Sequence, residues 1–116
     1  MKTPNLGTIA EEIATQYLLS NGYTILERNL KVHQYEIDII SELDPYLVVV
    51  EVKARTSKVY GTAREHLKAD QLRRIFSAYE YWARKKNMNH RSVRFDLIEY
   101  YPKEQKLIHL MDAFRE

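Results

Sequence analysis

Between residues 6 and 19 the apolar positions Ala10, Ile13, Ala14, Tyr17 and Leu18 recur at spacings of three and four, which predicts an amphipathic helix. Asn21-Gly22 closes it, because both residues tolerate the left-handed backbone of a helix C-cap. The period then changes. Residues 23–28 (YTILER) read as a strand, and residues 35–40 alternate Glu36 and Asp38 against Ile37 and Ile39, which predicts a second strand. Asp44-Pro45 marks a turn, and the β-branched, nearly continuous apolar run over 47–52 predicts a buried central strand. A second helix is expected between 62 and 85, with Leu72, Ile75, Tyr79 and Trp82 on one face. Its start is open: Thr62-x-x-Glu65 fits a capping box, and Asp70 fits an N-cap equally. Residues 91–100 and 106–111 read as closing strands joined by a turn at Pro102-Lys103.

The order α-β-β-β-α-β-β predicts an α/β fold in which a small central mixed sheet is flanked by helices, in a single domain over 1–116. The chain is too short for a doubly wound nucleotide fold and has no Gly-rich phosphate loop. A composition of 45% hydrophobic and 29% charged residues excludes the disordered and fibrous classes. The longest apolar run, 46–50, is far short of the roughly 20 residues that span a bilayer. No apolar segment precedes Glu11 and Glu12, so no secretory signal is expected. Without cysteine there is no disulfide framework and no thiolate zinc site. A cytoplasmic location without membrane partners is the expectation. The formal charge of +2 conceals a split: residues 53–94 hold twelve Lys/Arg and three acids, an excess of +9 that leaves −7 elsewhere. Such asymmetry predicts one positive face and an anionic partner, unless the segment is an ordinary solvated helix.

The central strand ends in LVVVEVKAR. Alternation points Glu51 and Lys53 to one face, and charges on a buried strand cost free energy unless paired or bound. A hairpin through Asp44-Pro45 would set residues summing to about 89 opposite each other, which pairs Asp38 with Glu51. Two carboxylates at that range repel unless a cation lies between them, and oxygen-only ligands suit Mg²⁺ or Mn²⁺. With Lys53 beside them to serve an attacking water or steady a pentacovalent phosphate, these are the parts of metal-assisted phosphodiester hydrolysis. A plain structural Glu51–Lys53 pair is the alternative. Glu12 falls opposite the apolar stripe of the first helix, whereas Glu11 lies at its edge and can reach the sheet.

Asp38 followed after twelve residues by Glu51-Val52-Lys53 resembles the PD-(D/E)xK signature of the restriction-endonuclease-like nucleases. Over about 110 residues the chain resembles the YraN-like family, small bacterial proteins of that fold whose cellular role is largely unassigned. The resemblance is carried by Gly7-x-x-Ala10-Glu11-x-x-Ala14, Gly22-Tyr23, Arg28-Asn29, Glu36-Ile37-Asp38, Val50-Glu51-Val52-Lys53-x-Arg55 and Gly61. It continues through Arg73-Arg74-Ile75, Arg94-Phe95-Asp96, Ile108-His109 and Ala113-Phe114. The resemblance implies catalysis by Asp38, Glu51 and Lys53, with Asp38, Glu51, Glu11 and the Val52 carbonyl as metal ligands and Glu36 just behind them. It also implies nucleic-acid contacts by Arg55, Arg73, Arg74 and Gln71. The implied activity is a Mg²⁺- or Mn²⁺-dependent endonuclease hydrolysing DNA, with branched or damaged DNA as candidate substrates; the small size of the chain suggests a homodimer for engaging two strands. A non-catalytic nucleic-acid-binding module of the same fold is the alternative, and a subunit docking an acidic protein a third. Three positions depart from the family pattern: Ala10 and Tyr35 stand where Gly is usual, and Gln71 where Lys is frequent.

The four histidines follow no metal-binding spacing; His109 reads as a strand residue and His33, His66 and His90 as surface. Tyr79 and Trp82 read as core, whereas Tyr60, Tyr100 and Tyr101 are expected at the surface.

Overall fold

Helix α1 (Leu6–Ser20) starts at Asn5, whose side-chain oxygen accepts the Thr8 N–H at 2.8 Å and so partners one of the donors that a helix start leaves free. It ends where Gly22 takes φ +87°, a backbone that side chains resist. The structure, a computed structural model, describes residues 5–56 and 69–114. After α1 come β1 (Thr24–Val32), β2 (Tyr35–Leu43) and β3 (Tyr46–Ala54), then α2 (Ala69–Lys85), β4 (Ser92–Tyr101) and β5 (Lys106–Leu110). The strands form one sheet in the order β1-β2-β3-β4-β5. Only β3 and β4 run parallel, and the other neighbours are antiparallel. This is the central mixed sheet and the α-β-β-β-α-β-β order expected above. Among the described residues no helix is long and apolar enough to cross a membrane.

Strand β3 divides the core between two layers. Leu47 and Val49 pack with Ile75, Ala78, Tyr79, Trp82 and Ala83 of α2, while Val48 and Val50 pack with Ala14 and Leu18 of α1. All four β3 side chains are fully buried, each stabilising the fold by about 1.5–3 kcal/mol relative to exposure. The Trp82 indole N–H is satisfied within its layer by donating to Glu27 at 3.0 Å.

A buried polar network fastens the α1 side. Asp96, fully buried on β4, accepts from both the Nε and an NH2 nitrogen of Arg94, from the Asp112 N–H at 2.9 Å and from His109 Nε2 at 2.7 Å. An ionised carboxylate only accepts, so Nε2 donates to Asp96, and Nδ1 hydrogen-bonds with the Tyr17 hydroxyl of α1 at 2.9 Å. Arg94 also donates to the Tyr23 hydroxyl at 2.7 Å.

Several expectations change. Asp70 is not an N-cap, because α2 already includes Ala69; the Thr62–Glu65 alternative lies outside the described residues, as do Tyr60, Gly61 and His66. Strand β1 runs on to Val32, since its turn at His33 and Gln34 carries no Gly or Pro to signal it; His33 itself takes φ +56°. Tyr101 is buried rather than at the surface. The basic residues do not share one face. Arg94 lies half-buried on the α1 side against Asp96, and Arg91 pairs with Glu42 at 2.7 Å at the start of β4. The alternation expected along β2 also breaks: Ile37 packs in the α2 layer and Ile39 in the α1 layer. Asp38 is the residue between them.

Candidate metal centre

The β2–β3 ladder pairs Ile39 with Val50, Ile40 with Val49 and Ser41 with Val48, so its pairs sum to 89 and Asp38 and Glu51 come next in line. There Asp38 Oδ2 accepts the Val52 N–H at 2.8 Å, a side chain bonding β3 just past the last ladder pair. Across the sheet, Arg28 pairs with Ile39 and Leu30 with Ile37, which leaves Asn29 opposite Asp38. Asn29 has φ +51°, and the two strands change facing together at this point. Asp38 is thereby within reach of both layers.

Both layers supply acids. Glu11 of α1, Glu36 and Asp38 each offer a carboxylate oxygen, all within 4.8 Å of one another. Glu51 is 5% exposed and, with Tyr35, Gln71, Leu72, Ile75 and Phe114, lines a small void under α2. One oxygen of Glu11 and one of Glu51 are buried with no hydrogen-bond partner among the described residues. Such orphaned oxygens are costly and call for a partner. Glu12 points away and pairs with Arg28 at 3.0 Å. Lys53, two residues along β3 from Glu51, acts electrostatically on both Asp38 and Glu51.

The carboxyls hold protons more tightly than usual. Burial raises Asp38, against the Val52 hydrogen bond and the Lys53 charge that lower it. Burial and then Asp38 raise Glu11. Burial, reinforced by Asp38, pushes Glu51 up to about 8. The folded metal-free protein therefore retains a proton that the unfolded chain, with a carboxyl of 4.5, releases. Stability from this site is fully present below about 4.5 and declines as pH rises toward about 8. Thermal melts in EDTA across that window should fall in Tm with rising pH, and Glu51→Gln should flatten the slope. An unchanged slope in the variant would refute this account of Glu51.

Tyr35 closes the site from the α2 side. Its hydroxyl hydrogen-bonds to the Glu51 carboxyl and to the Gln71 side chain, and burial followed by the nearby carboxylates keeps the phenol protonated. Gln71 is thus placed against the acid cluster through Tyr35. Arg55 leaves the end of β3 with its Nε 3.7 Å from the fully buried Glu99 carboxylate. Arg73 and Arg74 are exposed on α2, with Arg73 paired to Asp70, and line a groove on the other side of Tyr35. Two features escape sequence reasoning. Glu99 sits beside Lys53 in the β3–β4 register, a non-local pairing with no local sign. The Tyr35 bond to Glu51 joins positions sixteen residues apart, and only the bulk of Tyr35 hints at it.

A sequence profile of the uncharacterised protein family UPF0102 matches residues 10–100. A UPF0102 protein of Clostridioides difficile (strain 630) is 36% identical over 98% of this chain and 100% of its own length. Another, from Flavobacterium psychrophilum, is 34% identical over 95% of this chain and 93% of its own length. Among solved structures, a fdxN element excision controlling factor protein from Anabaena variabilis is similar with a TM-score of 0.47 and 14% identity, covering 89% of this chain and 98% of that one.

Proposed function

This chain belongs to the UPF0102 family, and from its acid cluster we propose that it is a divalent-cation-dependent nuclease that hydrolyses DNA phosphodiester bonds. The observation that carries the reading is the buried, unpartnered oxygen of Glu11 in the cluster with Glu36 and Asp38, with a second on Glu51, whose carboxyl feels Asp38. An all-oxygen donor set at the rim of a sheet suits Mg²⁺ or Mn²⁺, with Asp38, Glu51, Glu11 and the Val52 carbonyl as the residues that would hold it. The cation supplies Lewis-acid polarisation of the phosphate and of a nearby water. Glu36 offers a further carboxylate oxygen, within 4.8 Å of those of Glu11 and Asp38. Lys53 steadies the negative charge that accumulates as a water oxygen bonds to phosphorus and the opposite P–O ester bond breaks. Tyr35 fixes the rotamer of Glu51 by donating its hydroxyl, and Gln71 in turn holds Tyr35. Arg73 and Arg74 offer sequence-independent phosphate contacts, and Arg55, oriented by Glu99, offers a third.

Calorimetric titration with Mn²⁺ and Mg²⁺ tests the site. The wild type should bind, with proton release near neutral pH because Glu51 must ionise, and Asp38→Ala with Glu51→Ala should abolish the heat. Absence of binding in the wild type would end the metal-site reading. Binding without cleavage of branched, single-stranded or duplex DNA in Mn²⁺ would leave a non-catalytic nucleic-acid-binding module.

A further inference from the structure

A groove of about 770 Å³ runs between the β1–β2 turn and α2, lined by His33, Gln34, Tyr35, Arg73, Arg74 and Ser77 among others. Its cationic wall is Arg73 and Arg74, with Asp70, also in the lining, paired to Arg73. Its inner wall is Tyr35, the residue whose hydroxyl reaches Glu51. Outward, the groove continues as an aromatic and basic strip. The His33 ring meets Tyr81 edge-on at 4.9 Å, and the Lys85 ammonium lies 4.9 Å above the Tyr81 ring. Tyr81 is 42% exposed, unlike Tyr79 and Trp82 of the same helix, which are each 5% exposed. Along α2 the positions Arg74, Ser77, Tyr81 and Lys85 follow one another at spacings of three and four, one helix face roughly 16 Å long.

We infer that this groove and strip bind single-stranded nucleic acid, with phosphates on Arg73, Arg74 and Lys85 and an unstacked base on Tyr81 or His33. Exposed rings alternating with cations match a strand whose bases have free faces. A blunt duplex keeps its bases stacked on one another and offers those rings nothing. Because Tyr35 is shared, a strand in the groove ends against the wall that fixes Glu51. This deepens the nuclease reading, on which it rests only for what becomes of the strand. It makes the favoured substrate one with an unpaired segment next to the scissile phosphate.

Fluorescence anisotropy in EDTA with the Asp38→Ala protein measures the binding without metal or cleavage. Labelled oligo-dT or oligo-U should bind at least about 10-fold more tightly than a blunt duplex. The tighter of the two identifies the sugar, and either supports the inference. Tyr81→Ala should weaken the interaction by about 5- to 100-fold, with Tyr81→Phe near the parent. Arg74→Glu should weaken it and lower the salt slope by about one or more. Both side chains are exposed, so melts should match the parent, and photocrosslinking of an iodouracil-substituted oligonucleotide to Tyr81 or His33 gives an independent readout. Equal or tighter binding of the duplex, or unchanged affinity in Tyr81→Ala, would overturn the inference. Strand binding that persists in a protein whose wild type takes no metal would refute the nuclease reading and leave this surface standing.

Discussion

Replacing Lys53 with Met should slow metal-dependent cleavage by on the order of 10²–10⁴ while leaving Mn²⁺ affinity within a few-fold of wild type. The separation of the two effects follows from the alternation of β3. Lys53 points to the same face as Glu51 and feels both carboxylates, yet it contributes no oxygen to the cluster. In the proposed reaction its ammonium matters most when negative charge peaks on the phosphate, a transition-state interaction whose loss lowers kcat with little change in ground-state binding. Single-turnover cleavage and calorimetry on the same preparation check this. A variant that cleaves at the wild-type rate would remove Lys53 from the mechanism, and one that loses the metal would make it a structural partner of the acids.

Asp96→Ala should cost about 3–5 kcal/mol of stability, on the order of 10–20 °C in Tm, because it strands the Arg94 guanidinium and His109 in the interior. Burial alone would raise the Asp96 carboxyl. Hydrogen bonds from His109, Arg94 and the Asp112 N–H outweigh burial and hold it below its ordinary 3.8. A depressed carboxylate stabilises the fold above its unfolded value and loses that contribution as pH falls through the folded one, so the stabilisation is complete at neutral pH and fades only in strong acid. Urea denaturation at neutral pH measures the cost, and a loss below about 1 kcal/mol would mean that the network is solvated rather than structural. The variant should also weaken metal binding indirectly. Tyr17 ties α1 to His109, and α1 carries Glu11.

Much of the fold could be read from local pattern. The stripe on α1, the β-branched run of β3 and the stripe on α2 each bury the face their spacing predicts, because 3.6- and 2-residue periods are set by backbone geometry. The β2–β3 register was legible too, since a short hairpin fixes it: Ile39 with Val50 lies on the expected sum. Other features depend on partners far away in the chain. The alternation through Glu36–Ile39 failed because Asn29, nine residues before Asp38, adopts a left-handed backbone and both strands turn with it. The run of basic residues suggested one positive face, but Arg94 is drawn inward by Asp96 and Arg91 by Glu42. Tyr101 looked like a surface residue because only packing across the sheet reveals its burial.

The single parallel pairing has a kinetic consequence. Ile39 and Val50 meet across a short hairpin, whereas Tyr46 pairs with Ser92, 46 positions away. Loop-closure entropy favours the hairpin first and makes docking of β4 onto β3 the slow step of sheet assembly. Asp38 and Glu51 thus come together early, in water and ionised, and Glu51 is desolvated only as α2 settles over it. A carboxyl that must take up a proton during that closure should slow folding as pH rises through neutrality, and a divalent cation bound at the proposed site would remove the proton from that step.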